Sequence, residues 1–196
     1  MGMDISGLSA LDLSTALRDR RVSARDVMQA TLARIEAVNG AVNAIVSLRD
    51  ADALIAEADA ADASVPKGWL HGIPMAIKDV SNAKGLPTSM GSPLFADQIA
   101  TKDDLFVSRL RAAGAIFIGK TNVPQFGFGS HSVNPVVGAT RNPYDTARTA
   151  GGSSGGACVG LATGMLSVAD GSEIMGSLRN PAGWNNVYGL RPTWAL

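Results

Sequence analysis

Gly151-Gly152-Ser153-Ser154-Gly155-Gly156, a short apolar run, and then Asp170-Gly171-Ser172-Glu173-Ile174-Met175-Gly176-Ser177-Leu178-Arg179 form the stretch around which this chain is organised. Two of its serines, Ser153 and Ser177, stand beside glycine. Glycine permits turns and close approaches to a ligand that other residues resist. Two such segments, separated by a helix over Gly155 to Ala162 and a strand over Leu166 to Ala169, predict one site assembled from two loops.

Working outward, the N-terminal part reads as helical. Ser9 with Asp12, and Ser23 with Asp26, each mark a helix start with an acidic residue three places on. After Ser23, Met28, Thr31, Leu32 and Ile35 recur at helical spacing until Asn39-Gly40 closes the segment. A strand-like run from Ala44 to Leu48 leads into an alanine-rich helix over about Asp50 to Ala63, ended by Pro66 and Gly68. From Gly72 the pattern changes. Ile73 to Ile77 is a buried strand ending in Lys78-Asp79, and a Gly, Pro and Ser-rich loop runs from Gly85 to Pro93. Asp103 and Asp104 cap a helix carrying Val107 and Leu110, which Gly114 terminates before a strand over Ala115 to Ile118. A long loop from Asn122 to Arg148 follows. Strands alternating with helices predict an α/β sheet, in a single domain whose residues 1–68 form a helical N-terminal region and 69–196 an α/β core.

The bulk properties narrow the function. The 196 residues are 46% hydrophobic and 17% charged, which fits a core-rich globular chain rather than disorder. Seventeen basic residues balance seventeen acidic ones, so nothing points to a nucleic acid or an anionic membrane as partner. A small molecule is the expected partner. One cysteine, Cys158, excludes an internal disulfide framework and a cysteine-based zinc cluster. No window reads as a signal peptide or membrane span, and Met1-Gly2 with Ser6 is only a crude acylation pattern without a second membrane signal. The cytoplasm is the expected compartment.

Several motifs match in letter and fail in mechanism. Gly114 to Thr121 has phosphate-loop spacing, but its middle residues are a buried apolar strand and no helix begins cleanly after Thr121. Gly151 to Gly155 fits a nucleophile elbow, yet that arrangement needs an acid and then a histidine after the serine. The two histidines, His71 and His131, both precede it. Neither has a second ligand at metal-binding spacing, and Cys158 has no neighbouring cation to make it a thiolate. What remains is Lys78. Two glycine-flanked serines need a base, histidine is unavailable, and a partly buried lysine with a lowered pKa is able to serve.

At this point the residues resemble a known family. Gly72-Ile73-Pro74-Met75-Ala76-Ile77-Lys78-Asp79, Gly119-Lys120-Thr121-Asn122, Asn142-Pro143-Tyr144, the serine and glycine stretch itself, Gly176 to Pro181 and Gly189-Leu190-Arg191-Pro192-Thr193 are together similar to the amidase signature hydrolases. The resemblance implies a mixed sheet surrounded by helices and a Ser-Ser-Lys triad that hydrolyses amides without metal or cofactor. In that scheme Ser177 is the nucleophile, Ser153 the bridging serine after a cis Gly152–Ser153 bond, and Lys78 the ultimate base. It also implies an oxyanion hole from the N–H groups of Ile174, Met175, Gly176 and Ser177, a supporting role for Ser154, and a substrate wall over Gly127 to Ser130. Within the family the alternative is the glutamine-hydrolysing subunit of an aminoacyl-tRNA amidotransferase.

Three departures stand out. Glu173 replaces an aspartate and Met175 a glycine ahead of the nucleophile, and Ala150 stands where proline often precedes the glycine pair. Family members are also much longer than 196 residues. The resemblance therefore implies an incomplete, C-terminally truncated amidase fold, completed by a homodimer or a partner chain, or else an inactive fragment.

Overall fold

The computed structural model describes Ile5 and residues 7–193. The Met1-Gly2 acylation pattern with Ser6, and the last residues Trp194-Ala195-Leu196, lie outside them. The helix starts read from the sequence are present. Helix α1 (Ala10–Arg18) is capped by Ser9, whose Oγ accepts from the Asp12 N–H. Helix α2 (Ala24–Val42) opens on a full capping box, with the Ser23 Oγ and the Asp26 carboxylate each accepting from the other's backbone. Asp62, at the end of helix α3 (Ala51–Asp62), adds a second carboxylate by accepting from the N–H groups of Ala24 and Arg25.

Two boundaries differ from the expectation, for identifiable reasons. Helix α2 passes through Gly40 and ends two residues later, with Asn43 in the left-handed conformation. The cap is the Asn43 N–H, which donates to the Asn39 carbonyl, while the Asn39 side chain holds the segment that follows: its Oδ1 accepts from the N–H groups of Ala44 and Ile45, and its Nδ2 donates to the Ile45 carbonyl. In helix α4 (Leu105–Ala112) the N-cap residue Asp104 makes no side-chain hydrogen bond to the first-turn N–H groups. Asp104 accepts from the Asn82 N–H and Asp103 from the Lys84 N–H and the Arg111 guanidinium, so both carboxylates tie down the preceding loop.

The sheet has three strands in the order β1 (Ile45–Val46), β3 (Ile116–Thr121), β2 (Pro74–Lys78). β2 and β3 are parallel, joined through α4, with an irregularity between Met75 and Ala76, and β1 is antiparallel to β3. The sheet is therefore mixed, and residues of the N-terminal region supply one of its strands. Both long strands are buried along their whole length, as strands covered on both faces must be. Alternation sorts their side chains into two cores. Ala76, Ile116 and Ile118 face Met28, Ile35, Leu54 and Val159 from α2, α3 and helix α5 (Gly155–Ala162), while Met75, Ile77 and Phe117 face Val27, Leu70 and Val107.

The expected strand over Leu166–Ala169 is irregular backbone. Its apolar residues pack by side chain: Leu166 joins the first core and donates its N–H to the Gly160 carbonyl. A short apolar run satisfies burial in either conformation, and only a pairing partner makes it a strand. The long loop over 122–148 contains a two-strand hairpin, β4 (Val133–Asn134) and β5 (Gly138–Ala139). Asn122 holds it, donating to Thr140 Oγ1 and accepting from Asn134 Nδ2.

Two close contacts set the tolerances. The phosphate-loop candidate is strand β3, and its Lys120 is fully buried, donating to the Ser81 carbonyl at 2.6 Å and lying 3.6 Å from Asp79 Oδ1. Gly156 of α5 presses on the strand ends so tightly that a Cβ there would lie 2.3 Å from the Asn122 nitrogen and 2.7 Å from the Ala44 oxygen. Backbone atoms of that kind cannot step aside. Gly156→Ala is expected to cost about 3 kcal/mol by forcing the helix off the sheet. Lys120→Met, which strands a buried carboxylate, is expected to cost about as much. Urea unfolding of the two variants beside the parent chain measures both losses.

Candidate active site

Lys78 closes strand β2, and its whole side chain is out of solvent, at 0% exposure. Its Nζ has three hydroxyl partners: Ser153 Oγ at 2.8 Å, Ser154 Oγ at 2.7 Å and Ser172 Oγ at 2.7 Å. Burial pushes the ammonium down to about 8, against the opposing pull of Asp170, Cys158 and Glu173. A lysine in that range is divided between acid and base near neutral pH, which a proton acceptor requires.

Ser153 and Ser154 sit at the start of α5, both buried, after a cis peptide bond between Gly152 and Ser153. The turn is braced by Ser132. Its N–H donates to the Gly151 carbonyl, its Oγ accepts from the Gly155 N–H, and its Oγ also donates to the Ser153 carbonyl at 3.4 Å. Gly155 has no room for a side chain there, since a Cβ would lie 2.4 Å from Ser132 Oγ.

Ser177 is brought to the same place by the second loop. Its carbonyl accepts from the Ser154 N–H at 2.9 Å, so the two serine segments are joined directly by backbone. The loop around Ser177 is held by Glu173. That carboxylate accepts from the N–H groups of Gly176, Leu178 (2.8 Å) and Arg179 (3.0 Å) and pairs with the Arg179 guanidinium at 3.1 Å. Its side chain is only 7% exposed, yet these donors outweigh the burial that would push it up and hold the carboxyl down at about 2.

The remaining predicted residues fall as follows. Ile174 and Met175 lie on the loop before the nucleophile candidate with their side chains exposed, at 80% and 95%. Met175 takes a positive φ of +57° and Gly176 one of +103°, a turn that favours glycine, as the sequence departure at Met175 foreshadowed. The Gly176 N–H, one of the four donors that the resemblance implied for an oxyanion hole, is instead committed to Glu173. Ser130 lines a cavity of about 430 Å³ with His131, Gly151, Arg179 and Trp184, beside the cis bond. Gly127 lies in a short 3₁₀ turn (Gln125–Gly127) at φ +71°, packed toward Val80.

His71 and Cys158 take the following places. His71 spans Lys67 and Ala61, accepting the Lys67 N–H at Nδ1 with Nε2 3.1 Å from the Ala61 carbonyl. Burial pushes the Cys158 thiol up to about 12, so it is not a nucleophile at working pH. Among the described residues no three His, Cys, Asp or Glu side chains gather to hold a metal ion. Sequence reasoning missed three members: Ser132, Ser172 and Asp170. Ser172 and Asp170 were visible as the lead-in to Glu173, but nothing in their spacing says that both turn toward Lys78.

Comparison with known proteins bears on the family of the chain. A family model described as Amidase matches residues 26–196. The chain is 40% identical to an acylamidase of Rhodococcus erythropolis over 192 residues, covering 95% of this chain and 40% of that protein. It is 38% identical to a glutamyl-tRNA(Gln) amidotransferase subunit of Alkaliphilus metalliredigens, covering 99% of this chain and 40% of that one. A solved bacterial aryl acylamidase of the amidase signature enzymes superposes with a TM-score of 0.88 at 31% identity, over 94% of this chain and 39% of that chain. The chain thus spans about 40% of the length of the relatives it matches. With the lysine, the paired serine loops and the sheet in place, the chain belongs to the amidase signature family.

Proposed function

We propose that this chain carries the catalytic half-site of an amidase that cleaves a small carboxylic amide to a carboxylate and an amine or ammonia. The observation that supports it is the buried Lys78 Nζ, held by Ser153 and by two further hydroxyls. In the neutral amine, two N–H bonds stay with Ser154 and Ser172 and the lone pair faces the Ser153 O–H. Lys78 takes that proton as Ser153 takes the proton of Ser177. The Ser177 Oγ then bonds to the amide carbon, and its C=O pair becomes an oxyanion facing the backbone N–H groups of Ile174, Met175 and Ser177. When the C–N bond breaks, the proton returns through Ser153 to the leaving nitrogen. Water repeats the sequence on the acyl-enzyme.

Ser154 and Ser172 serve to hold Lys78, and Ser130 with Gly127 to border the substrate. No membrane is involved in this reading: among the described residues no helix is long and apolar enough to cross one, and we place the protein in the cytoplasm. A second reading, hydrolysis of glutamine for a partner acting on aminoacyl-tRNA, is favoured by the similarity to the amidotransferase subunit.

Release of aniline from acetanilide, and of ammonia from benzamide and from glutamine, separates the readings. Hydrolysis of the aryl amides with glutamine untouched supports the amidase, and the reverse supports the amidotransferase role. The rate is expected to fall about tenfold per pH unit below about 8, because the base form of Lys78 is lost as pH drops through its pKa. Ser177→Ala, Ser153→Ala and Lys78→Ala are each expected to remove activity at least about a thousandfold. Glu173→Gln, which weakens the charge-assisted hold on the loop, is expected to lower kcat about tenfold with an unchanged circular dichroism spectrum. Retained activity in Lys78→Ala contradicts the proposal.

A further inference from the structure

β2 is an edge strand among the described residues, so the N–H of its last residue, Lys78, has no neighbouring strand to receive it. It goes to a side chain. Asp170 Oδ1 accepts it at 3.0 Å. Two residues on, Ser172 Oγ takes the other end of the same lysine, accepting from Nζ at 2.7 Å. Between them, Gly171 packs against Ser154 and Leu178, where a Cβ would lie 3.2 Å from Ser154 Oγ and 3.0 Å from Leu178 Cδ1. The run 170–172 is thus a clamp that grips Lys78 at its backbone and at its amine, and it leads directly into the loop of Ser177.

We propose that Asp170 is a positioning residue for Lys78, and that its charge sets the pH at which Lys78 becomes a base. This rests on the reading of Lys78 as the base of the amidase. The charged and titratable groups facing this centre are few. Lys78 feels Asp170, Cys158 and Glu173, while Lys120 feels Asp170 together with Asp79 and Asp104. Cys158 stays a neutral thiol to about pH 12, and Glu173 stays ionised to about pH 2 in its own pair with Arg179. Asp79 is committed to Lys120 and to Ser89. That leaves Asp170 as the neighbour of Lys78 whose charge changes in the working range, because burial raises its carboxyl to about 6 in spite of the Lys78 N–H and both lysines.

An ionised Asp170 favours the ammonium form of Lys78, so removing the charge makes Lys78 lose its proton at lower pH. Asparagine keeps an oxygen for the Lys78 N–H and removes only the charge.

The test is nuclear magnetic resonance of the full chain with 13C-labelled lysine, following the Lys78 Cε resonance, assigned by its loss in Lys78→Met. In Asp170→Asn the Lys78 midpoint is expected to fall by about one pH unit, and the acid limb of amide hydrolysis to move with it. An unchanged or raised midpoint overturns the proposal. Should Asp170→Asn fail to fold, the unmodified chain still decides: a second inflection of the Lys78 resonance near pH 6 supports the coupling, and a flat trace from about pH 5 to 7 overturns it. The titration does not depend on turnover. A shifted Lys78 midpoint in a chain that hydrolyses no amide would defeat the amidase reading and leave the role of Asp170 standing.

Discussion

The structure depends on keeping one amine dry. A charged ammonium taken out of water without a counter-ion is costly, and Lys78 meets that cost with three hydroxyls at its Nζ. Each comes from a position that another constraint fixes: Ser153 and Ser154 from the cis turn at the head of α5, Ser172 from the segment gripped through Asp170. Remove the sheet that carries Lys78 and the serines have nothing to converge on. Remove the serines and the lysine is a liability in the core.

The glycines follow from the same requirement. Helix α5 has to deliver its first residues to the end of β2, and it reaches that place by lying close against the Ser132 side chain at Gly155 and against the Asn122 and Ala44 backbone at Gly156. The buried Lys120 and Asp79 pair works at the adjoining strand ends, where it holds the loop after β2 through Ser81 and Ser89. A second lysine so near Lys78 adds positive charge to the neighbourhood, and Asp79 and Asp170 balance it. Tight packing and charge balance together hold Lys78 and the Ser153 turn in place.

Local structure was legible where one residue type has one physical task. Ser9, Ser23 and the apolar runs of β2 and β3 read correctly because capping and burial are written in adjacent letters. The expectation that Lys78 works with Ser153 and Ser177 came through resemblance to a family, and the elimination of histidine pointed to the same lysine. Illegible were side chains that do a distant task. Asn39 reaches past Gly40 to hold Ala44 and Ile45, Asp104 leaves its own helix for Asn82, and Asp170 gives its carboxylate to a residue 92 positions earlier. No spacing rule connects such pairs. The run at Leu166 failed for a different reason: apolar burial does not distinguish a strand from an irregular segment without a partner to pair with.

The most direct measurement is peptide mapping of the chain after exposure to a serine-reactive fluorophosphonate. If Lys78 and Ser153 activate Ser177, one phosphonate attaches per chain, it resides on Ser177, and it is absent from Lys78→Ala. Labelling of another serine, or labelling of Ser177 that survives loss of Lys78, contradicts the dry amine as the source of the chemistry.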